Sequence, residues 1–154
     1  MPVETRVAAA DAFWRDEESQ DIGAQKVEVI VTLARRLKFR TKSVQALPVE
    51  KRARHMAQLT DISDPVATRA LIAYHFSAKR PLMAAFLDAL GIGHDNGLIA
   101  EEQVAPPSVE ALTSAVAKVR ESFDAAEVDL YLRTLAALDN ETWAGLSSLT
   151  STAS

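Results

Sequence analysis

Apolar residues along most of this chain recur every three or four positions, which is the spacing of one face of an α-helix. The clearest stripes lie at the two ends of the chain. They are Val3, Val7, Ala10 and Trp14; Val109, Leu112, Val116, Val119 and Phe123; Val128, Tyr131, Leu135 and Leu138; and Trp143, Leu146 and Leu149. Each stripe predicts a helix with one buried side.

Residues that favour helix ends stand next to these stripes. Ser108, Asp124 and Asn140 precede the last three helices, where a side-chain oxygen can accept from free backbone N–H groups. Gly91 follows Leu90, which suits the left-handed residue that ends many helices. These positions set the expected boundaries.

The segment from Ala24 to Phe39 fits two patterns. Its helical face is formed by Val27, Ile30, Val31, Ala34 and Leu37, but residues 26–33 also alternate like a strand and are rich in β-branched side chains. We favour a helix because no second strand is evident that could pair with it, and a lone strand leaves backbone groups unpaired. The strand alternative stays open at this point.

Three prolines in the middle of the chain indicate further helix starts. Pro48, Pro65 and Pro81 each precede an apolar stretch, and proline is tolerated in the first helical turn. They predict helices over about 48–59, 64–78 and 81–90. Residues 65–90 are apolar nearly all round, so we expect the last two helices to form a central buried pair.

The predicted fold is therefore all-α, a compact bundle or orthogonal array of seven to eight helices. Residues 1–150 are expected to form a single domain, and residues 151–154 a frayed polar tail. Between Gly91 and Ser108 runs a long loop, a length that is often functional. Within it, Asn96-Gly97 predicts a tight turn that closes a small hairpin.

Composition excludes several kinds of chemistry. The sequence has no cysteine, which removes disulfides, thiolate catalysis and cysteine-based metal sites. No zinc or calcium pattern, nucleotide loop or nucleophile elbow occurs, so we expect no metal, no cofactor and no covalent catalysis. No signal peptide or membrane-spanning run is visible, which predicts a cytoplasmic protein without a membrane partner.

Charge is distributed unevenly along the chain. Residues 23–55 hold nine basic and two acidic side chains, a local charge of +7, although the whole chain carries −4. The candidate anion-binding residues are Arg35, Arg36, Lys38, Arg40, Lys42, Lys51, Arg52 and Arg54. They indicate either a surface for an anionic partner such as nucleic acid, or internal pairing with the acidic N-terminal helix.

One acid–base pair is a further candidate. His75 lies in the most apolar helix, and Asp88 on the next helix could face it across a tight helical hairpin. The pair could form a small-molecule or catalytic site. The alternative for His75 is a core histidine that is hydrogen-bonded to its neighbours.

Taken together, these patterns predict a non-enzymatic helical domain that binds protein, including a second copy of itself as a homo-oligomer. The observation behind this prediction is an excess of apolar helix surface without recognisable catalytic groups. Binding of nucleic acid by residues 35–54, and a small-molecule or enzyme site at His75 and Asp88, are the alternatives.

Overall fold

The computed structural model describes residues 1–150 and confirms an all-α fold. The described chain forms nine α-helices, a 3-10 helix at Ala144–Ser148 and a two-stranded hairpin. The α-helices are α1 (Val3–Arg15), α2 (Ile22–Leu37), α3 (Thr41–Ala46), α4 (Val49–Ala57), α5 (Asp64–Ala78), α6 (Arg80–Leu90), α7 (Val109–Arg120), α8 (Ala125–Leu138) and α9 (Asn140–Trp143). The predicted set lacked the six-residue α3, which has too few apolar positions for a visible stripe. The tail predicted for 151–154 lies outside the described residues.

The chain divides into two compact units, one from Met1 to Tyr74 and one from His75 onward. The boundary lies inside α5. The prediction of a single domain over residues 1–150 therefore stays a prediction.

In the first unit, α1 packs against α4. Both helices bury alanines, among them Ala9 and Ala53, and small side chains let two helix backbones approach closely. Phe13 is fully buried beside them, and its ring meets that of Trp14 edge to face at 5.3 Å. The core of this unit thus combines alanines and aromatic rings with larger aliphatic side chains such as Leu33 and Met56.

Residues 26–33 are helical, as the favoured interpretation predicted, since α2 spans Ile22–Leu37. The predicted buried face was wrong at two positions, because Val27 is 57% and Val31 is 42% exposed. The buried side contains Val29 and Leu33 together with Ile30 and Ala34, which were predicted correctly. The apolar run extends around much of the helix, whereas packing on one side covers only part of it.

The core of the second unit is formed by α6, α7, α8 and the turns that follow α8. Its buried side chains include Leu82, Phe86, Leu87, Leu112, Val116, Val119, Val128, Tyr131, Leu132, Trp143 and Leu146. Phe86 meets Tyr131 edge to face at 5.8 Å. Neither α5 nor α6 is buried on every side, although residues 65–90 are apolar nearly all round. Pro65 and Ala78 of α5 are exposed, and so are Pro81 and Asp88 of α6.

Most predicted helix ends are confirmed. The Ser108 hydroxyl accepts from the N–H of Ala111, and the Asp124 carboxylate accepts from two N–H groups at the start of α8. Gly91 ends α6 with φ +72°. The prediction for Asn140 was wrong, because Asp139 caps α9 instead, one residue earlier. Two adjacent residues can both cap a helix, and sequence alone did not distinguish them.

The predicted hairpin is also confirmed. Strands β1 (His94–Asp95) and β2 (Leu98–Ile99) are antiparallel, with His94 opposite Ile99. Asn96 and Gly97 both have positive φ, 47° and 91°, as a tight primed turn requires. Half-buried Ile99 packs on the core of the second unit.

Candidate binding surface

Seven of the eight cations predicted as anion-binding residues are exposed; the exception, Arg52, is half-buried. Five of the seven are close in sequence, at the end of α2, in the turn that follows and at the start of α3. They are Arg35, Arg36, Lys38, Arg40 and Lys42. Within residues 1–150 none of these five forms an ion pair.

The turn between α2 and α3 has an unusual backbone conformation. Lys38 ends α2 in the left-handed region with φ +57°, where glycine is the usual residue. The N–H of the next residue, Phe39, donates to the Ala34 carbonyl at 3.0 Å. Arg40 then takes an extended conformation and begins α3. The turn leaves Phe39 47% exposed, between Lys38 and Arg40 in the sequence.

The exposed valines of α2 adjoin these cations. Val27, Val31 and Arg35 are four residues apart in turn, so they follow one stripe along the helix. The stripe leads from two exposed valines to the cationic turn. We call this set the α2–α3 surface; it comprises Val27, Val31, Arg35, Arg36, Lys38, Phe39, Arg40 and Lys42.

Two of the predicted cations on α4 have other surroundings. The Arg52 guanidinium lies 4.8 Å from the centre of the Trp14 ring, and its Nε donates to the Leu47 carbonyl at 3.2 Å. Arg54 lines a shallow groove that it shares with the acidic residues Glu4, Asp11 and Glu50. Lys51 is exposed. Arg52 thus stabilises the first unit, and we leave α4 out of the α2–α3 surface.

Internal pairing was the alternative explanation for the basic segment. The ion pair that links α1 to α4 has the opposite polarity, since Arg15 of α1 contacts Glu50 of α4 at 3.3 Å. Arg15 also contacts Asp11 within α1, at 2.8 Å. The acidic N-terminal helix therefore does not neutralise the five cations between Arg35 and Lys42.

The structure gives Asp88 a histidine partner other than the predicted one. His75 is 2% exposed, and its ring centre lies 5.4 Å from that of Tyr131. The Asp88 side chain is 72% exposed, and its carboxylate lies 2.7 Å from Nε2 of His94. A catalytic role for His75 with Asp88 stays a prediction.

The long loop after α6 is held in place by polar contacts. His94 Nδ1 accepts from the N–H of Gly97 at 3.0 Å, which leaves Nε2 to carry the proton that it donates to Asp88. Arg80 donates to the Asn96 carbonyl, and the Glu101 carboxylate accepts from the N–H of Gly93. These contacts hold the loop and its hairpin against α6, so they give His94, Arg80 and Glu101 structural roles.

Among the described residues no three histidine or acidic side chains are grouped as metal ligands. None of the helices in that part of the chain combines the length and the apolar character needed to cross a bilayer.

Sequence reasoning found the cations of the α2–α3 surface but missed its apolar members. Val27 and Val31 were assigned to the buried face of the helix, and Phe39 was not assigned to the basic surface. One available signal was the register of Arg35, which stands four residues after Val31 and therefore on the same stripe.

No known protein family, curated protein or solved structure shows a significant match to this chain.

Proposed function

We propose that this chain is a non-enzymatic binding protein that docks an acidic, amphipathic segment of another protein on the α2–α3 surface. One observation carries the proposal: five exposed cations that pair with no acidic group of residues 1–150 adjoin three exposed apolar side chains, Val27, Val31 and Phe39. Protein interfaces commonly combine an apolar centre with a polar rim.

The apolar members supply a reason for the two surfaces to associate. Removing a valine or phenylalanine side chain from water contributes about 1.5–3 kcal/mol when burial is complete. Partial burial of Val27, Val31 and Phe39 would contribute a fraction of this. A helix that presents apolar residues at every third or fourth position is a suitable occupant.

The cations determine which partner is accepted. Exposed ion pairs contribute about 0–1 kcal/mol each, so they add modest affinity. Their larger effect is on selectivity and on the rate of encounter, because a basic partner is repelled. In such a partner, carboxylates on both sides of its own apolar stripe would complement the five cations between Arg35 and Lys42.

Nucleic acid fits this surface less well. Aliphatic valines offer no ring on which a base can stack, and Phe39 is the single aromatic member of the surface. A long polyanion also experiences the field of the whole chain, whose net charge is −4. A short acidic segment mainly experiences the local cations, since salt screens charges beyond about 10 Å.

The test is a fluorescence anisotropy titration with three labelled probes. The first is a helical peptide of about 20 residues, with leucines every third or fourth position and glutamates on both flanks. The second carries lysines instead of the glutamates, and the third is a single-stranded RNA of random sequence. We expect saturable, salt-sensitive binding of the glutamate peptide and weaker binding of the other two.

Matched variants locate the site. Arg40→Glu with Lys42→Glu should abolish binding of the glutamate peptide, and Val31→Ser should weaken it. The controls are Arg6→Glu with Lys118→Glu, which change the net charge equally, and Val3→Ser, which alters another exposed valine. RNA binding without peptide binding, or equal effects of control and test variants, would overturn the proposal.

A further inference from the structure

The second unit exposes the same combination of side chains with the opposite charge. Val109 and Leu138 are each 56% exposed. Exposed carboxylates adjoin them, namely those of Glu110, Asp139 and Glu141. Residues 75–154 hold eleven acidic and five basic side chains, which gives −6, whereas residues 1–74 hold ten and twelve, which gives +2; the two sum to −4.

These exposed residues lie at one end of the second unit. A Cβ on Gly145 would come within 2.7 Å of the Leu112 side chain, so the 3-10 helix packs against α7. Val109 lies about one helical turn before Leu112, and Glu141 about one turn before Gly145. The start of α7 and the residues after α8 are therefore neighbours. We call Val109, Glu110, Leu138, Asp139 and Glu141 the acidic end.

One carboxylate of the acidic end, that of Asp139, is stabilised in its charged form. Hydrogen bonds from the Thr142 hydroxyl and from its N–H hold the pKa of Asp139 below its usual value. The Asp139 carboxylate therefore stays ionised to a lower pH than an ordinary aspartate does. The two surfaces are opposite in charge under the same conditions.

We infer that the occupant of the α2–α3 surface is the acidic end of a second copy of this chain. The inference rests on the proposed function and names its partner. Each surface places exposed apolar side chains beside charges of one sign, and the signs are opposite. Both sets of side chains are exposed in the single chain, so both are open to another molecule.

The test is the mass of the full-length protein in solution, measured by sedimentation velocity and light scattering over a range of concentrations. At about 10 mM salt, where charges act over about 30 Å, we expect the average mass to rise with concentration above that of one chain. At about 1 M salt, where this length is about 3 Å, association should weaken strongly.

Charge reversal tests the pairing itself. Arg40→Glu with Lys42→Glu, and separately Glu110→Lys with Glu141→Lys, should each weaken association about tenfold or more. Combining all four changes in one chain should restore it, because the surfaces are again opposite in charge. The combined variant keeps the net charge of −4, since the first pair lowers it by four and the second raises it by four.

The acidic pair alone brings the net charge to zero, which ordinarily promotes non-specific association. Weaker association of that variant would therefore be opposite to the effect expected from its net charge alone. A wild-type chain that stays monomeric at low salt, or a combined variant that does not recover, would falsify the inference. If the chain stays monomeric but still binds the glutamate peptide, the proposed function stands and only the second copy is excluded.

Discussion

Lys38 offers a way to separate the stability of the first unit from its binding. Its backbone is in the left-handed region, where a side chain with a Cβ is crowded against the neighbouring carbonyl. A glycine there relieves this crowding, and it also removes one of the five clustered cations. The matched change is Lys38→Ala, which removes the same charge but keeps the Cβ.

The expected difference between the two variants follows from the backbone alone. The left-handed conformation costs about 1–2 kcal/mol for a residue with a Cβ and almost nothing for glycine. Against this, glycine lowers the free energy of unfolding by about 0.4–1 kcal/mol, because the unfolded chain has more conformational entropy with glycine than with alanine. Lys38→Gly should therefore unfold with a free energy about 1 kcal/mol higher than Lys38→Ala.

The assay is urea unfolding followed by circular dichroism, together with anisotropy titration of the glutamate peptide. If the same variants are unfolded by heat, 1 kcal/mol corresponds to a difference of about 2–4 °C in Tm for a chain of this length. Both variants should bind the acidic peptide equally and more weakly than the wild type. Equal stability of the two variants would refute the strain argument, and unchanged binding would remove Lys38 from the surface.

Other predictions follow from the packing and the charges. Gly145→Ala should cost about 1–3 kcal/mol by crowding Leu112, whereas Gly23→Ala, whose Cβ meets open space in α2, should stabilise by about 0.4–1 kcal/mol; urea unfolding compares them. Burial raises the pKa of Tyr131, so its contribution to stability is complete below about pH 10 and is lost as the pH rises through its pKa in the folded protein. Tyr131→Phe should then lose less stability than the wild type between pH 8 and pH 11. Asp124→Ala should lower the free energy of unfolding by about 1 kcal/mol, because two N–H groups of α8 lose their acceptor.

The helices and most of their ends were predictable from sequence because those features are local. A stripe at helical spacing, a serine or aspartate before it and a glycine after it act within a few residues of one another. Ser108, Asp124 and Gly91 therefore have the roles that the sequence predicts. The start of α9 shows the limit of such local prediction. Asn140 was the predicted cap and Asp139 is the observed one, since either side chain can accept from N–H groups of the first turn.

The rotation of α2 was not predictable in the same way. The buried side of a helix depends on what packs against it, and that is decided by residues far away in the sequence. An apolar run around much of a helix is compatible with several rotations, and the structure selects the one that buries Val29 and Leu33. This rotation keeps Ile30 and Ala34 buried but exposes Val27 and Val31, which form the apolar part of α2 in the α2–α3 surface.

The histidine partner of Asp88 was not predictable for the same reason. Sequence spacing placed His75 and Asp88 on consecutive helices, but the facing sides of two helices depend on their crossing. The hairpin after α6 brings His94 back to Asp88, six residues away, because Asn96 and Gly97 reverse the chain. A short-range turn therefore determined the partner of Asp88.

The exposed valines of α2 contribute little to the stability of the folded state, and this distinguishes the proposed docking surface from the core. A side chain that stays about half in water gains only part of the 1.5–3 kcal/mol that full burial provides. Replacing Val31 by serine should thus leave the free energy of unfolding nearly unchanged while it weakens partner binding. A core residue such as Leu33 behaves in the opposite way, because its truncation leaves a cavity and costs about 2–5 kcal/mol. Measuring both effects for both residues separates a docking surface from incomplete packing: if Val31→Ser destabilises the fold as strongly as Leu33→Ala, then Val31 belongs to the core in solution and the α2–α3 surface loses its apolar part.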